Sequence, residues 1–414
     1  MTHWPEVVEL TLDGIAQGGD GVGRWQGRVV FATGGLPGEQ VCVQLTEQRA
    51  AFARGHVIEL ITTAPERVPP RLPGTDHMSW QHIAYPAQLD FKRQILTDQL
   101  AKIAGLADLV IAEVIPSASP WHYRNAARLH VEQTAIGYFA AGSRTLQPIE
   151  SDPLLLPSLN DALAAIHHVI EPEDHVYQII LRMSETQGNV VAELGGEGDL
   201  WPLAQRWRDA CPALSGVAVP GLLSHGETTL IEQLDGVTLS LQPTVFFQVN
   251  LMAAKQLLHM VYSELSLQGD ERLLDLYSGV GTFALPLSHH VHAVLGIEEH
   301  SVAVANARKS AAEHHLTNAR ILQGRVEHTL IQIDESFDCV VLDPPRRGCH
   351  QHVLDELLRY MPERMVYVSC NPATLARDLK VLVAGGYHVA RVQPIDLFPQ
   401  TPHIETLCTL VRNK

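Results

Sequence analysis

The chain has no disulfide or zinc framework. Its six cysteines, Cys42, Cys211, Cys339, Cys349, Cys370 and Cys408, are scattered over 414 residues, with no C-x-x-C pair and no histidines at zinc spacing. Most free cysteines of this kind are small buried hydrophobes. No apolar run reaches the roughly 20 residues a membrane helix needs. The opening stretch, MTHWPEVVEL, has no basic segment followed by an apolar one, so no secretory signal is visible and a cytoplasmic protein is expected. Positive charge is also scarce: 30 Lys and Arg against 46 Asp and Glu leave a formal charge of −16. That balance lowers the expectation of a nucleic-acid partner without excluding one, because affinity follows the local basic footprint. With 46% apolar and 18% charged residues, the chain is globular and long enough for two or three domains.

Three zones follow one another. Residues 1–62 hold short Val-rich runs (VVELTL, RVVFAT, VCVQLTE, GHVIELI) separated by the glycine turns GGDGVGR and GGLPGE. Short strands with such spacing predict a small β-barrel. A proline-rich linker, TTAPERVPP with Arg71, opens residues 63–236, which mix a helix (PAQLDFKRQILTDQLAKIAG) with strands such as ARLHVEQ, AIGYFA, VYQIILRMS and NVVAEL. That zone is expected to be an α+β domain. Residues 237–414 alternate strand and helix: RLLDLY, HAVLGIE, ARILQ, FDCVVLD and RMVYVSC read as buried strands, and HVARVQPI with HIETLCTLV as a closing strand pair. The alternation predicts a doubly wound, mainly parallel α/β sheet of Rossmann type.

Gly279 and Gly281 follow RLLDLY and open a helix, where glycines let a ligand approach the backbone closely. Glu298 closes the next strand 17 residues after Gly281, well placed to accept bonds from ribose hydroxyls. Asp275 suits an ammonium group or the loop's own amides. The loop has no lysine, which excludes a P-loop, and Ala284 stands at the third glycine position. A nicotinamide cofactor stays open on these residues; S-adenosylmethionine, having no pyrophosphate, suits the short loop better.

VVLDPPRRG puts Asp343 at a strand end, before the rigid Pro344-Pro345 pair. Amino-group methyltransferases follow such prolines with an aromatic residue; Arg346 stands here instead. VYVSCNP ends a strand at Cys370, and Pro372 can start a helix, a setting that favours thiolate. DLFPQTPHIE adds Asp396, Phe398, His403 and Glu405. One reaction uses these parts. A thiolate adding to C6 of uracil makes C5 nucleophilic enough to take a methyl group, and a carboxylate then removes the C5 proton.

The stretches FFQVN (246–250), DLYSGVGTF (275–283), GIE (296–298), VVLDPPRRG (340–348), VSCNPATLARDL (368–379) and DLFPQTPHIE (396–405) together resemble the RNA uracil-C5 methyltransferase family. AQGGDGVGRWQGRVVFATGGLPGE resembles a TRAM domain, and HYRNAARLHV and GYFAAGSRTL extend the similarity through the central zone. The resemblance implies Cys370 as nucleophile and Glu405 as base. It places Gln248, Tyr277, Gly279, Gly281, Thr282, Glu298 and Asp343 around S-adenosylmethionine. Thr282 stands where several relatives carry Asn, and Arg325 where many carry Asn or an acidic residue. Many relatives also bind a [4Fe–4S] cluster, but Pro69, Thr75, Met78 and Asp152 occupy the cysteine positions here, so no cluster and no other metal is expected; His77 and His82 are read as surface or core residues. An unpaired or flipped uridine in RNA is the implied target, with the TRAM domain pointing to 23S ribosomal RNA rather than tRNA. Phe246, Phe247 and Phe398 are candidate stacking surfaces, and Arg124, Arg346 and Arg347 candidate phosphate contacts. A monomer without membrane association is expected. Cytosine C5 chemistry and a catalytically idle RNA-binding scaffold are the competing readings.

Overall fold

In the computed structural model, residues 4–219, 221 and 224–414 are described; Met1–His3 of the segment read for a leader lie outside them. Among the described residues no helix is long and apolar enough to cross a membrane. The chain opens with β1 (Val7–Ile15), β2 (Gly21–Trp25), β3 (Arg28–Thr33), β4 (Gln40–Gln48) and β5 (Phe52–Thr62), closed as a barrel in the order β1-β2-β3-β5-β4. Alternation in β1 sends Val8, Leu10 and Leu12 inward, where they meet Val30, Val41 and Val43. The stretch GVGR, expected as part of a turn, is strand β2. Its glycines permit close approach: a Cβ on Gly23 would lie 2.3 Å from the Thr11 carbonyl oxygen.

The linker is tied back to the barrel, since Arg67 donates to the fully buried Glu39 at 2.5 Å. Helix α1 (Tyr85–Gln99) matches the expected helix and continues as one π-type turn to Ala104, where Gly105 stops it at φ 74°. A seven-stranded sheet follows: β6 (Ala126–Glu132), β7 (Ala135–Phe139), β8 (Leu146–Pro148), β9 (Val176–Met183), β10 (Val190–Gly196), β11 (Leu214–Ala218) and β12 (His225–Gly226), ordered β12-β11-β10-β9-β6-β7-β8. Helices α2 (Pro157–Val169) and α3 (Trp201–Ala210) cover one face through Leu163, Ile166, Leu203 and Trp207. A hairpin, β13 (Leu230–Leu234) and β14 (Val237–Leu241), spans residue 236.

Helix α4 (Leu251–Leu265) leads into the second large sheet. Its strands are β15 (Arg272–Leu276), β16 (Ala293–Glu298), β17 (Ala319–Gln323), β18 (Cys339–Leu342), β19 (Arg364–Ser369), β20 (Tyr387–Ile395) and β21 (Glu405–Arg412), ordered β17-β16-β15-β18-β19-β21-β20. Helices α5 (Ala284–Leu287), α6 (Ser301–Glu313), α7 (Val326–Thr329), α8 (Gln351–Tyr360) and α9 (Pro372–Ala384) connect them. Strands β15 to β19 are parallel, and all but the edge strand β17 are buried on both faces: Leu273, Val341 and Val366 join one core, Leu274, Leu342 and Tyr367 the other. Strand order reverses between β15 and β18, the place where doubly wound sheets leave a crevice. Strand β21 is antiparallel to both neighbours.

Candidate active site

The carboxyl edge of this sheet gathers most of the residues singled out in the sequence. After β15 the chain turns sharply: Tyr277, Gly279 and Gly281 have φ of 66°, 56° and 84°. The Gly279 amide donates to Glu298 Oε2 at 3.0 Å, and the His300 amide to Oε1 at 2.7 Å, which aims the carboxylate along the loop. Asp275 is fully buried, and its Oδ2 accepts from the Ala284 amide at 2.9 Å while Oδ1 has no partner among the described residues. Burial holds its pKa well above the ordinary carboxylate range. Of its two candidate roles, the structure shows the loop-amide one.

Across the crevice, Asp343 follows β18, and burial raises it to about 7. Cys370 follows β19 and precedes Asn371, whose side chain caps α9 by accepting from the Ala373 amide at 3.1 Å. Pro372 fixes the first turn. Ser369 pairs with Thr406 in the antiparallel ladder, so one further step of register sets Cys370 opposite Glu405. Glu405 is 4% exposed, and its Oε1 has no partner among the described residues. Burial, then Asp343, push its pKa well above the ordinary value, with Arg346 opposing. The half-buried Cys370 thiol is raised to about 11, first by burial, then by Glu405 and Asp343, again with Arg346 opposing.

A cavity of about 610 Å³ joins the two halves. Gln248, Tyr277, Gly279, Thr282, Glu298 and Asp343 line it together with Cys370 and Glu405. Gly281 does not; it lets the loop close, since a Cβ there would lie 2.5 Å from Leu285 Cγ. The size and the mixed lining of carboxylates, amides and aromatic edges fit S-adenosylmethionine. His300, Val326 and Glu327 also line it. Nothing singled them out in the sequence, although their places just past the ends of β16 and β17 mark them. Arg325 lies instead on a neighbouring cavity of about 670 Å³, within ion-pair reach of Glu299 and Glu327.

Phe246 is 71% exposed on the cavity wall, and Phe398, Arg124, Arg346 and Arg347 share that wall. Phe247 is no stacking surface: it is 2% exposed, packed into the core on the α4 side. His403 also lines the cavity; burial and then Arg346 lower it to about 4, so the ring is neutral.

Sequence reasoning missed the frame under the 396–401 loop. Lys92 Nζ donates to Asp396 at 2.6 Å and to the Phe398 carbonyl at 3.0 Å. Gln88 exchanges bonds with the Gln400 amide and side chain, both at 2.9 Å, and Tyr123 donates to the Pro399 carbonyl at 3.0 Å.

The iron–sulfur positions hold other chemistry. Met78 is buried against Tyr123 and Leu154, and Thr75 donates to the Leu72 carbonyl at 2.9 Å. Asp152 accepts from Tyr138 at 2.9 Å and from the Leu154 amide at 2.8 Å, with His77 at 3.3 Å. These residues do not fit a cluster, which needs thiolates. His82 is half-buried, lowered to about 4 first by burial and then by Arg67.

The sequence profile of the family described as tRNA (uracil-5-)-methyltransferase matches residues 236–413, and that of the TRAM domain residues 6–58. An RNA methyltransferase of Thermosynechococcus vestitus is 35% identical, with 99% of each chain covered. The 23S rRNA (uracil(1939)-C(5))-methyltransferase of Edwardsiella ictaluri is 32% identical, covering 97% of this chain and 95% of its own. Among solved structures, the Pyrococcus abyssi tRNA (uracil-54, C5)-methyltransferase with bound S-adenosyl-L-homocysteine superposes with a TM-score of 0.80 at 25% identity, covering 98% of this chain and all of its own.

Proposed function

The chain belongs to the S-adenosylmethionine-dependent RNA uracil-C5 methyltransferase family, and within it we propose a 23S ribosomal RNA enzyme that uses Cys370 as covalent nucleophile and Glu405 as base. The observation that supports the roles of Cys370 and Glu405 best is the ladder register that sets them against each other at the mouth of the cofactor crevice.

Gln248, Tyr277, Gly279, Thr282, Glu298 and Asp343 would hold S-adenosylmethionine, with Gly281 shaping the loop beneath it. When bound, S-adenosylmethionine supplies an electrophilic methyl on a positively charged sulfonium. A positive charge in this cavity would favour the ionised forms of Asp343 and Glu405, which line it. Once the thiol proton has left to solvent, the Cys370 thiolate, supported by Arg346 and the α9 N-terminus, adds to C6 of the uracil. The C5–C6 π pair moves toward C4 and its oxygen, and C5 then takes the methyl group. Glu405 accepts the C5 proton; that C–H pair re-forms C5=C6 as the S–C6 bond breaks and the thiolate returns. A carboxylate with a raised pKa is well matched to that proton transfer. The uridine must be unpaired or flipped for C6 to meet the thiol.

The barrel does not decide between RNA classes, because the archaeal tRNA enzyme aligns over 98% of this chain. The ribosomal assignment rests on the 32% identity to the 23S enzyme. The test is methyl incorporation into unmodified 23S rRNA and tRNA transcripts, with the modified nucleoside identified by mass spectrometry. Incorporation into 23S rRNA as 5-methyluridine is expected. Incorporation only into tRNA overturns the ribosomal assignment, 5-methylcytidine the base, and none at all the enzymatic reading.

A further inference from the structure

The barrel reaches the catalytic turn directly. Its β1–β2 turn, residues 16–20, projects toward the sheet edge, where Gln17 Nε2 donates to Asn371 Oδ1 at 2.8 Å. Asn371 adjoins Cys370 and is already engaged twice: Oδ1 caps α9, and Nδ2 donates to the Arg346 carbonyl at 3.0 Å. The bond from Gln17 is therefore the third restraint on one side chain that joins the cysteine turn, the α9 N-terminus and the loop carrying Arg346. The approach is close by construction. Gly19 has φ 97°, its carbonyl accepts from Trp80 Nε1 at 3.3 Å, and a Cβ there would lie 2.4 Å from that nitrogen and 2.9 Å from Pro402 Cβ. Behind the turn, Ile15 and Leu36 of the barrel share a core with Trp80 and Ile404, the residue before Glu405. Both members of the catalytic pair thus have a neighbour fixed by the barrel.

We infer that the β1–β2 turn of the barrel is part of the frame of the catalytic centre, and that Gln17 is a positioning residue for Cys370, acting through Asn371. This rests on Cys370 being the nucleophile. It gives the barrel a role separate from holding RNA, so its loss would register in free protein.

The test compares Gln17→Ala, Gln17→Glu, which keeps the shape and removes the donor, and Gln17→Lys, which keeps a donor. Two quantities are read. One is kcat and RNA KM at saturating S-adenosylmethionine. The other is the rate of Cys370 alkylation by iodoacetamide in RNA-free protein as a function of pH, followed by peptide mapping. Loss of one hydrogen bond should change both kcat and the alkylation rate about threefold to tenfold in Gln17→Ala and Gln17→Glu. RNA KM should stay within about twofold, and Gln17→Lys should behave as wild type. An unchanged alkylation profile in Gln17→Ala and Gln17→Glu overturns the inference, whatever happens to RNA affinity. A wild-type protein that methylates no uridine sinks the proposed function instead, while the alkylation comparison still reports on the turn.

Discussion

Lys92 and Asp396, 304 residues apart, form an ion pair with both side chains fully buried. Burial lowers the Lys92 pKa, and Asp396 opposes the shift. The pair ties α1 to the loop that delivers Glu405. Breaking a buried pair from one side strands the other charge. Lys92→Met should therefore cost about 3–5 kcal/mol in urea unfolding. Lys92→Met combined with Asp396→Leu should recover part of that loss. A single variant as stable as wild type would refute this role.

Cys370→Ala should abolish both methyl transfer and the covalent RNA adduct, a loss of at least about 10³-fold. Single-turnover methylation and denaturing gels of the protein–RNA mixture report the two. Transfer at the wild-type rate would rule out the covalent route.

Glu405→Gln keeps size and burial but cannot take the C5 proton. Addition and methylation should proceed and release should stall. The adduct should accumulate on denaturing gels while turnover falls by about 10²–10⁴-fold. Unchanged turnover without accumulation would assign the proton to another base.

The thiol at about 11 gives free protein a pH dependence with a definite sign. Below that value the thiolate fraction rises about tenfold per pH unit, and alkylation of Cys370 should follow it upward. Arg346 opposes the raised value, so Arg346→Ala should move the profile to still higher pH. Alkylation that levels off near neutrality would contradict this electrostatic setting.

Asp152, at a position the resemblance assigns to a cluster cysteine, is fully buried. Burial pushes its pKa up, but His77, the Leu154 amide and Tyr138 outweigh burial and hold it below 3.8. A depressed folded-state value means stabilisation present above 3.8 and lost as pH falls through the lowered value. Asp152→Ala should remove about 1–3 kcal/mol at neutral pH by leaving Tyr138 and the Leu154 amide unsatisfied. A midpoint of urea unfolding unchanged from wild type would show that the cluster positions are not held this way.

The doubly wound sheet and the site positions on it were legible because buried strands with motif residues at their ends carry local signals. Glu298, Asp343 and Cys370 each sit just inside or past such an end. Glu405 was legible only through resemblance: its importance comes from the antiparallel placement of β21, a fact of register that no local pattern encodes. Strand β2 was hidden because its glycines serve backbone packing rather than turning. Neighbouring Phe246 and Phe247 looked equivalent, and only the direction of the chain before α4 sends one outward and the other into the core. Gln88 and Lys92 read as ordinary polar positions of a surface helix, since their partners lie about three hundred residues away.

The bond between Gln17 and Asn371 spans 354 residues of sequence. Contacts of such range form late, after the chain segments between them have condensed. The barrel, built from pairings within its own 62 residues, can form while the remainder is still being synthesised. The setting of Cys370 is therefore complete only when the two ends of that span have come together.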